Sequence, residues 1–161
     1  MKITIDKARE ILKRESNKIK NVGDRDFNIM HSEHVVKIAK ILASKKNLDN
    51  EILELAGLLH DIGKAIGGKN HAQCSVEILE KEGFELDNKL RDCILQHGGD
   101  KTPTTDEGKI IRWADKISVL NPEIMDLVIK TNEDKISEED IKFIKKMTSK
   151  AVNFLGEIEL K

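Results

Sequence analysis

Between Glu51 and Asp61, apolar side chains fall nearly all round a helical wheel: Ile52, Leu53, Leu55, Ala56, Leu58 and Leu59. A segment with that pattern has only a narrow polar side to turn to water, so other elements should surround most of it. It is expected to be the central buried helix of its domain, over about residues 51–61. Strand signals are nearly absent, with no tyrosine and no sustained alternation of β-branched residues. The remaining apolar residues recur at helical spacing, so the neighbours that cover the central helix should be helices too.

A first helix is expected from about Ile5 to Ile19, with Ile5, Ala8, Leu12 and Ile19 on one face, broken by Gly23 and Asp24-Arg25-Asp26. A second runs from about Ile29 to Lys46 along the stripe His31, Val35, Ile38, Leu42. Gly63, Gly67 and Gly68 predict a loop, and Asn70 fits as the cap of a fourth helix that Gly83 stops after about Glu82. A fifth spans about Asp87 to His97. Thr104 with Glu107 predicts a capping box for a sixth that reaches about Leu120. Asn121-Pro122 starts a short seventh helix to about Lys130. Ser137 and Asp140 open a last amphipathic helix over about 137–160, on which Ile141, Ile144, Thr148, Ala151, Leu155 and Ile158 share a face. The expected architecture is all-α: one compact domain of seven or eight helices over residues 1–161.

Composition narrows what such a domain would meet. The formal charge is -1 over 161 residues, so no basic footprint for nucleic acid or an anionic membrane is expected. The first residues turn charged at once, so no secretory leader is expected, and no apolar run approaches the roughly 18 residues of a membrane span. Cys74 and Cys93 form no framework of paired bridges, and a reduced, cytoplasmic setting is the expectation. Phosphate recognition, if present, has to be local.

The histidines and two aspartates supply the chemistry. His31 interrupts the apolar stripe of the second helix, His97 continues the line of Leu90, Cys93 and Ile94, and Asp115 stands between Ile111 and Val119. The buried central helix ends in His60-Asp61. Burying imidazoles and carboxylates is costly unless they are paired or bound to a cation. A core histidine more often has an ordinary hydrogen-bond partner, but that explanation must be repeated separately for His31, His60, Asp61, His97 and Asp115. Convergence on one metal explains all five. Nitrogen and oxygen donors of this kind suit Mn, Fe, Zn, Co or Ni rather than calcium.

His31-Ser32-Glu33-His34-Val35, then Leu58-Leu59-His60-Asp61-Ile62-Gly63-Lys64, then Ala114-Asp115-Lys116-Ile117 resemble the H…HD…D signature of the HD-domain superfamily of metal-dependent phosphohydrolases. The resemblance covers about Ile29 to Ile117. It implies that His31, His60, Asp61 and Asp115 ligate a divalent transition metal, with Asp61 able to bridge to a second ion. Two-metal members add histidines before the last aspartate, and His71 and His97 occupy those slots; His34 is expected beside the site or in solvent. The HDIG-type members, and among them the symmetrical diadenosine tetraphosphate hydrolases, are the most similar, which implies a small phosphorylated substrate of nucleotide or dinucleotide type, and a homo-oligomer is compatible with it.

At such a site metal-bound water becomes a nucleophile near neutral pH. Lys64, three residues after Asp61, is expected to turn toward the same cavity and neutralise phosphate charge. Arg112 and Lys116 are further candidates for phosphate contact, and Trp113 is expected in the core. Two alternatives stand beside hydrolysis. Some members of the superfamily hold two irons on the same six ligands and activate oxygen, and others are non-catalytic binding modules, which typically lose ligands.

Overall fold

In a computed structural model, the structure describes residues 1–124 together with 127, 139, 142, 146, 148 and 149. Of the last amphipathic helix expected over about 137–160 only 139, 142, 146, 148 and 149 are described, each helical, and its remaining positions and the end of the seventh helix lie outside the described residues. Among the described residues there is no strand, and the fold is all-α. Its helices are α1 (Ile5–Ser16), α2 (Val22–Ala43), α3 (Asn50–Leu59), the single turn α4 (Lys64–Gly67), α5 (His71–Lys81), α6 (Asn88–Gln96) and α7 (Asp106–Ser118), with a 3-10 turn at Gly68–Asn70. None of them is long and apolar enough to cross a membrane.

α3 is the central helix. Ile52, Leu53, Leu55, Ala56, Gly57, Leu58 and Leu59 are all buried, and α1, α2, α6 and α7 pack around them. Asp49 starts this helix by accepting the backbone N–H groups of Glu51 and Ile52 at 3.1 and 3.2 Å, which satisfies two donors that a helix start leaves free. The helix ends at Leu59, so His60 and Asp61 lie in the turn just beyond it.

Several boundaries differ from the sequence expectation, each for a local reason. α1 stops at Ser16 rather than Ile19, where 3-10-type bonds from Lys18 N to Glu15 O and Ile19 N to Ser16 O close its last turn. α2 starts at Val22, seven positions before the expected Ile29. Asn21 caps it by accepting Asp24 N, so Gly23 and Asp24-Arg25-Asp26 form its first turns instead of a break. An aspartate there favours the positive end of the helix dipole. The glycine loop after Gly63 is largely wound into α4 and the 3-10 turn. Asn70 precedes α5, but its side chain makes no capping bond. Thr105, not Thr104, caps α7 by accepting Gly108 N. Glu107 closes no capping box; it accepts from Lys89 Nζ and Asp49 N. Asp92 explains the shift, since it accepts from the backbone and hydroxyl groups of both threonines. Asn121 does cap the next helical turn, accepting Glu123 N at 2.8 Å, and residues 122–124 are helical.

Two glycines set the spacing that the site needs. A Cβ on Gly57 would lie 2.6 Å from Val36 Cγ2 and 3.1 Å from the Val36 backbone nitrogen, so α2 and α3 touch backbone to backbone there. A Cβ on Gly63 would lie 2.2 Å from the His71 carbonyl oxygen and 2.7 Å from Ser75 N. The first contact brings α3 to α2, and the second brings the turn after α3 to α5. Gly57→Ala must push α2 from α3, and overpacking of that kind costs about 1–3 kcal/mol. A urea titration followed by circular dichroism should give that loss with an unchanged slope; wild-type stability in Gly57→Ala would show that the contact is not tight.

Candidate metal centre

Four imidazoles and two carboxylates from five parts of the chain meet at the end of α3. His31 comes from the middle of α2, His60 and Asp61 from the turn after α3, His71 from the start of α5, His97 from the position after α6, and Asp115 from the last turn of α7. They form two groups sharing one residue: His31, His60, Asp61 and Asp115, and Asp61, His71 and His97. Within each, the candidate donor atoms lie within 4.8 Å of one another. Asp61 divides its oxygens between the groups. Oδ2 is 3.5 Å from His31 Nε2 and 3.2 Å from His60 Nε2, whereas Oδ1 is 3.2 Å from His71 Nε2 and 3.5 Å from His97 Nε2. Asp115 Oδ1 completes the first group, 3.1 Å from His31 Nε2.

The outer nitrogen of each ring fixes its tautomer. Nδ1–H of His60, His71 and His97 donates to the carbonyl three residues earlier, at Gly57 (2.9 Å), Gly68 (2.9 Å) and Ile94 (2.7 Å). His31 Nδ1 lies 2.9 Å from Ser118 Oγ, and that hydroxyl gives its only proton to the Asp115 carbonyl at 2.7 Å. His31 Nδ1 is therefore a donor as well. All four rings turn Nε2 inward, with His31 and His60 3.3 Å apart and His71 and His97 3.2 Å apart.

That arrangement tests the fit of a metal. Neutral rings set lone pair against lone pair, and fully protonated rings set N–H against N–H. Asp61 Oδ1 is buried and makes no hydrogen bond of good geometry, which is costly for a carboxylate oxygen. A cation in each group would relieve the facing nitrogens and the orphaned oxygen together. Nitrogen and oxygen donors with outer N–H groups held by carbonyls are the ordinary surroundings of a transition-metal ion.

The electrostatics agree. Burial would lift the Asp61 carboxyl, but the charges of His60 and Lys64 hold it well below the usual carboxylate range. Asp115 is likewise pushed up by burial and held far down by Lys116 and His31. Burial lowers His31. It opposes charge on His60 too, but there the neighbouring Asp61 carboxylate outweighs it and the imidazole titrates above its ordinary value. Asp61 also raises His71.

The other candidates from the sequence sit around this centre. Lys64 Nζ lies 2.5 Å from Asp61 Oδ2 and 5.8 Å from the centre of the Phe27 ring. Lys116 pairs with Asp115 Oδ2. Arg112 lies outside both groups and donates to the carbonyls of Gly99 (2.9 Å) and His97 (3.5 Å), tying α7 to the chain beyond His97. His34 is also outside them, between Asn121 Nδ2 at 3.1 Å and Glu123 Oε2 at 3.2 Å. Trp113 is partly buried against the core, and Cys74 and Cys93 are free thiols.

Three supporting residues escaped the sequence reading. Ser118 holds the outer nitrogen of His31. Buried Ser75 accepts from Gly63 N at 2.9 Å and lies within donating distance of the carbonyls of His60 (3.0 Å) and His71 (2.9 Å), latching the metal turn to α5. Phe27 stacks on His31, with centroids 5.5 Å apart and planes 6° apart. Its spacing of four before His31 is a helical signal, hidden when α2 is started at Ile29. Replacing Ser118 by alanine removes the group that orients His31. Metal affinity should fall about 10–100-fold in a chelator competition while the fold is kept; unchanged affinity would show that Ser118 does not position the ring.

A helical bundle that brings an H…HD…D set, able to hold a metal ion, together at the end of its buried helix defines a domain of the HD type. Residues 28–120 match the HD domain family, and the chain belongs to it. It is 36% identical over 97 residues to a protein named Ribonuclease Y from Fervidobacterium nodosum, covering 58% of this chain and 18% of that one. It is 34% identical over 113 residues to the Ribonuclease Y of Treponema denticola, covering 66% and 22%. The chain thus spans only about a fifth of the length of these curated relatives. Among solved structures it is similar to a predicted HD superfamily hydrolase from an uncultured Thermotogales bacterium, at 28% identity and a TM-score of 0.57, over 92% of this chain and 89% of that one.

Proposed function

We propose that the protein is a metal-dependent phosphohydrolase that uses two divalent transition-metal ions on a phosphate ester or anhydride of a nucleotide or dinucleotide. The division of Asp61 between the two donor groups, one oxygen to each, carries this reading. Bound ions would supply a hydroxide from water near neutral pH and stabilise charge on the phosphoryl oxygens. His31, His60 and Asp115 would hold the first ion, His71 and His97 the second, and Asp61 both. Lys64, now paired with Asp61 and about a third exposed, is the cation that can turn to the phosphate once a metal takes over that oxygen. His71 is the most open of the six, with a quarter of its side chain exposed, so substrate would approach from its side.

The name of the relatives favours a second reading, in which the phosphodiester of an RNA is cleaved. The near-neutral charge of this chain weighs against it. Protein loaded with manganese or iron should release phosphate or a nucleoside phosphate from a panel of nucleotides and dinucleotides, and lose that activity in chelator. Shortening of a single-stranded RNA in preference to every small substrate would favour the second reading. Oxygen uptake with no phosphate release would end both and point to a di-iron oxygenase.

A further inference from the structure

A cleft of about 470 Å³ opens next to the metal centre, within the size range of small-ligand sites. The α1–α2 turn lines it through Lys18, Ile19 and Lys20, α2 through Asp24, Phe27 and Asn28, and the segment after α3 through Lys64, Ala65, Gly68 and His71. Lys64 and His71 belong to the proposed reaction site as well, so the cleft is continuous with it.

Its chemistry is cationic and aromatic. Three lysines and one aspartate line it. Lys64 is tied to Asp61 and Lys18 to Glu15, at 2.5 Å each. Lys20 has no ion-pair partner among the described residues. The turn that carries it is fixed, because Arg25 Nη2 donates to the Ile19 carbonyl at 3.1 Å. Phe27 is half-buried with its ring stacked on His31, so it adds a flat aromatic surface to the cleft lining. On the cleft floor Asn28 is 1% exposed. Its Nδ2 donates to Ser16 Oγ at 3.0 Å, and its Oδ1 is left without a partner. A cleft lined by lysines and an aromatic ring offers contacts beyond those to a single phosphate.

We infer that this cleft binds the part of the substrate beyond the reacting phosphate, and that this part is a nucleoside carrying a second phosphate group. The second phosphate meets Lys20 and Lys18, and the base packs on Phe27. The inference rests on the phosphohydrolase reading for its orientation, since that reading puts the reacting phosphate at His71 and Lys64. The limited size of the cleft and the formal charge of -1 favour a small nucleotide over an RNA strand.

The test is binding of ATP to the metal-free protein in EDTA, by calorimetry, with adenosine and inorganic phosphate as comparison probes. ATP should bind more tightly than either. Lys20→Glu should weaken it at least tenfold and Phe27→Leu about tenfold. Lys20 is exposed, so its variant should fold, and circular dichroism checks this; Lys20→Gln should weaken binding less than Lys20→Glu. Wild-type ATP affinity in Lys20→Glu overturns the inference, as does an RNA decamer that binds more tightly than ATP. Asp61→Ala separates the two readings, because it should still bind ATP through the cleft while releasing no phosphate. ATP binding lost in Lys20→Glu, with no phosphohydrolase activity in any metal-loaded sample, would keep the cleft and end the reaction assignment. Phosphate release from other substrates, with no ATP binding at all, would do the reverse.

Discussion

Asp61→Ala should strip metal from both donor groups and lower phosphate release by roughly a thousandfold or more, equivalent to about 4 kcal/mol of transition-state stabilisation. Among the described residues no other candidate ligand belongs to both groups: Oδ2 faces His31 and His60, and Oδ1 faces His71 and His97. The helices should survive, because Leu58, Leu59 and Ile62 on either side of the HD pair are each at most 1% exposed and keep the turn packed. Elemental analysis and circular dichroism on the same sample separate the two effects. Asp61→Asn sharpens the result. It keeps the shape but offers one oxygen and an N–H group that a cation rejects, so it should lose at least one ion. A metal-loaded, fully active Asp61→Ala would show that the reaction centre lies elsewhere.

The second large effect concerns the number of ions. His71→Ala combined with His97→Ala leaves His31, His60, Asp61 and Asp115 intact, since the two groups share only Asp61. Metal content should fall from about two ions per chain toward one, and activity should drop steeply while the first ion stays bound. The single variants should lie between. His71 is the more exposed of the pair, so its loss should disturb the surroundings less than loss of His97, whose ring packs edge-on against His60 with centroids 4.8 Å apart. If the double variant keeps two ions and only its affinity for substrate falls, the two histidines touch substrate and are not ligands.

Much of this arrangement comes from composition and spacing. The broad apolar surface from Ile52 to Leu59 makes a central helix the economical solution, because only burial on most sides removes that area from water. A His-Asp pair at the end of such a helix needs a counterpart, and His31, His97 and Asp115 stand where the same helical period brings them to the core. Those facts are local or periodic, so a linear chain displays them.

The tertiary structure decided what depends on side chains distant in sequence. Which nitrogen of His31 faces inward is set by Ser118, 87 positions away. The start of α7 was moved to Thr105 by Asp92, a residue of a different helix. The closeness of α2 and α3 rests on Gly57 meeting the Val36 backbone, a contact that no propensity encodes. The cleft beside the candidate metal centre exists because α2 begins at Val22 and carries Phe27 and Asn28 on the same helix as His31. Helical period and hydrophobicity tell a residue which way to face. What it meets there is fixed only when the helices close on one another, because the hydrogen bonds and tight contacts that orient a metal site are made across elements and not along them.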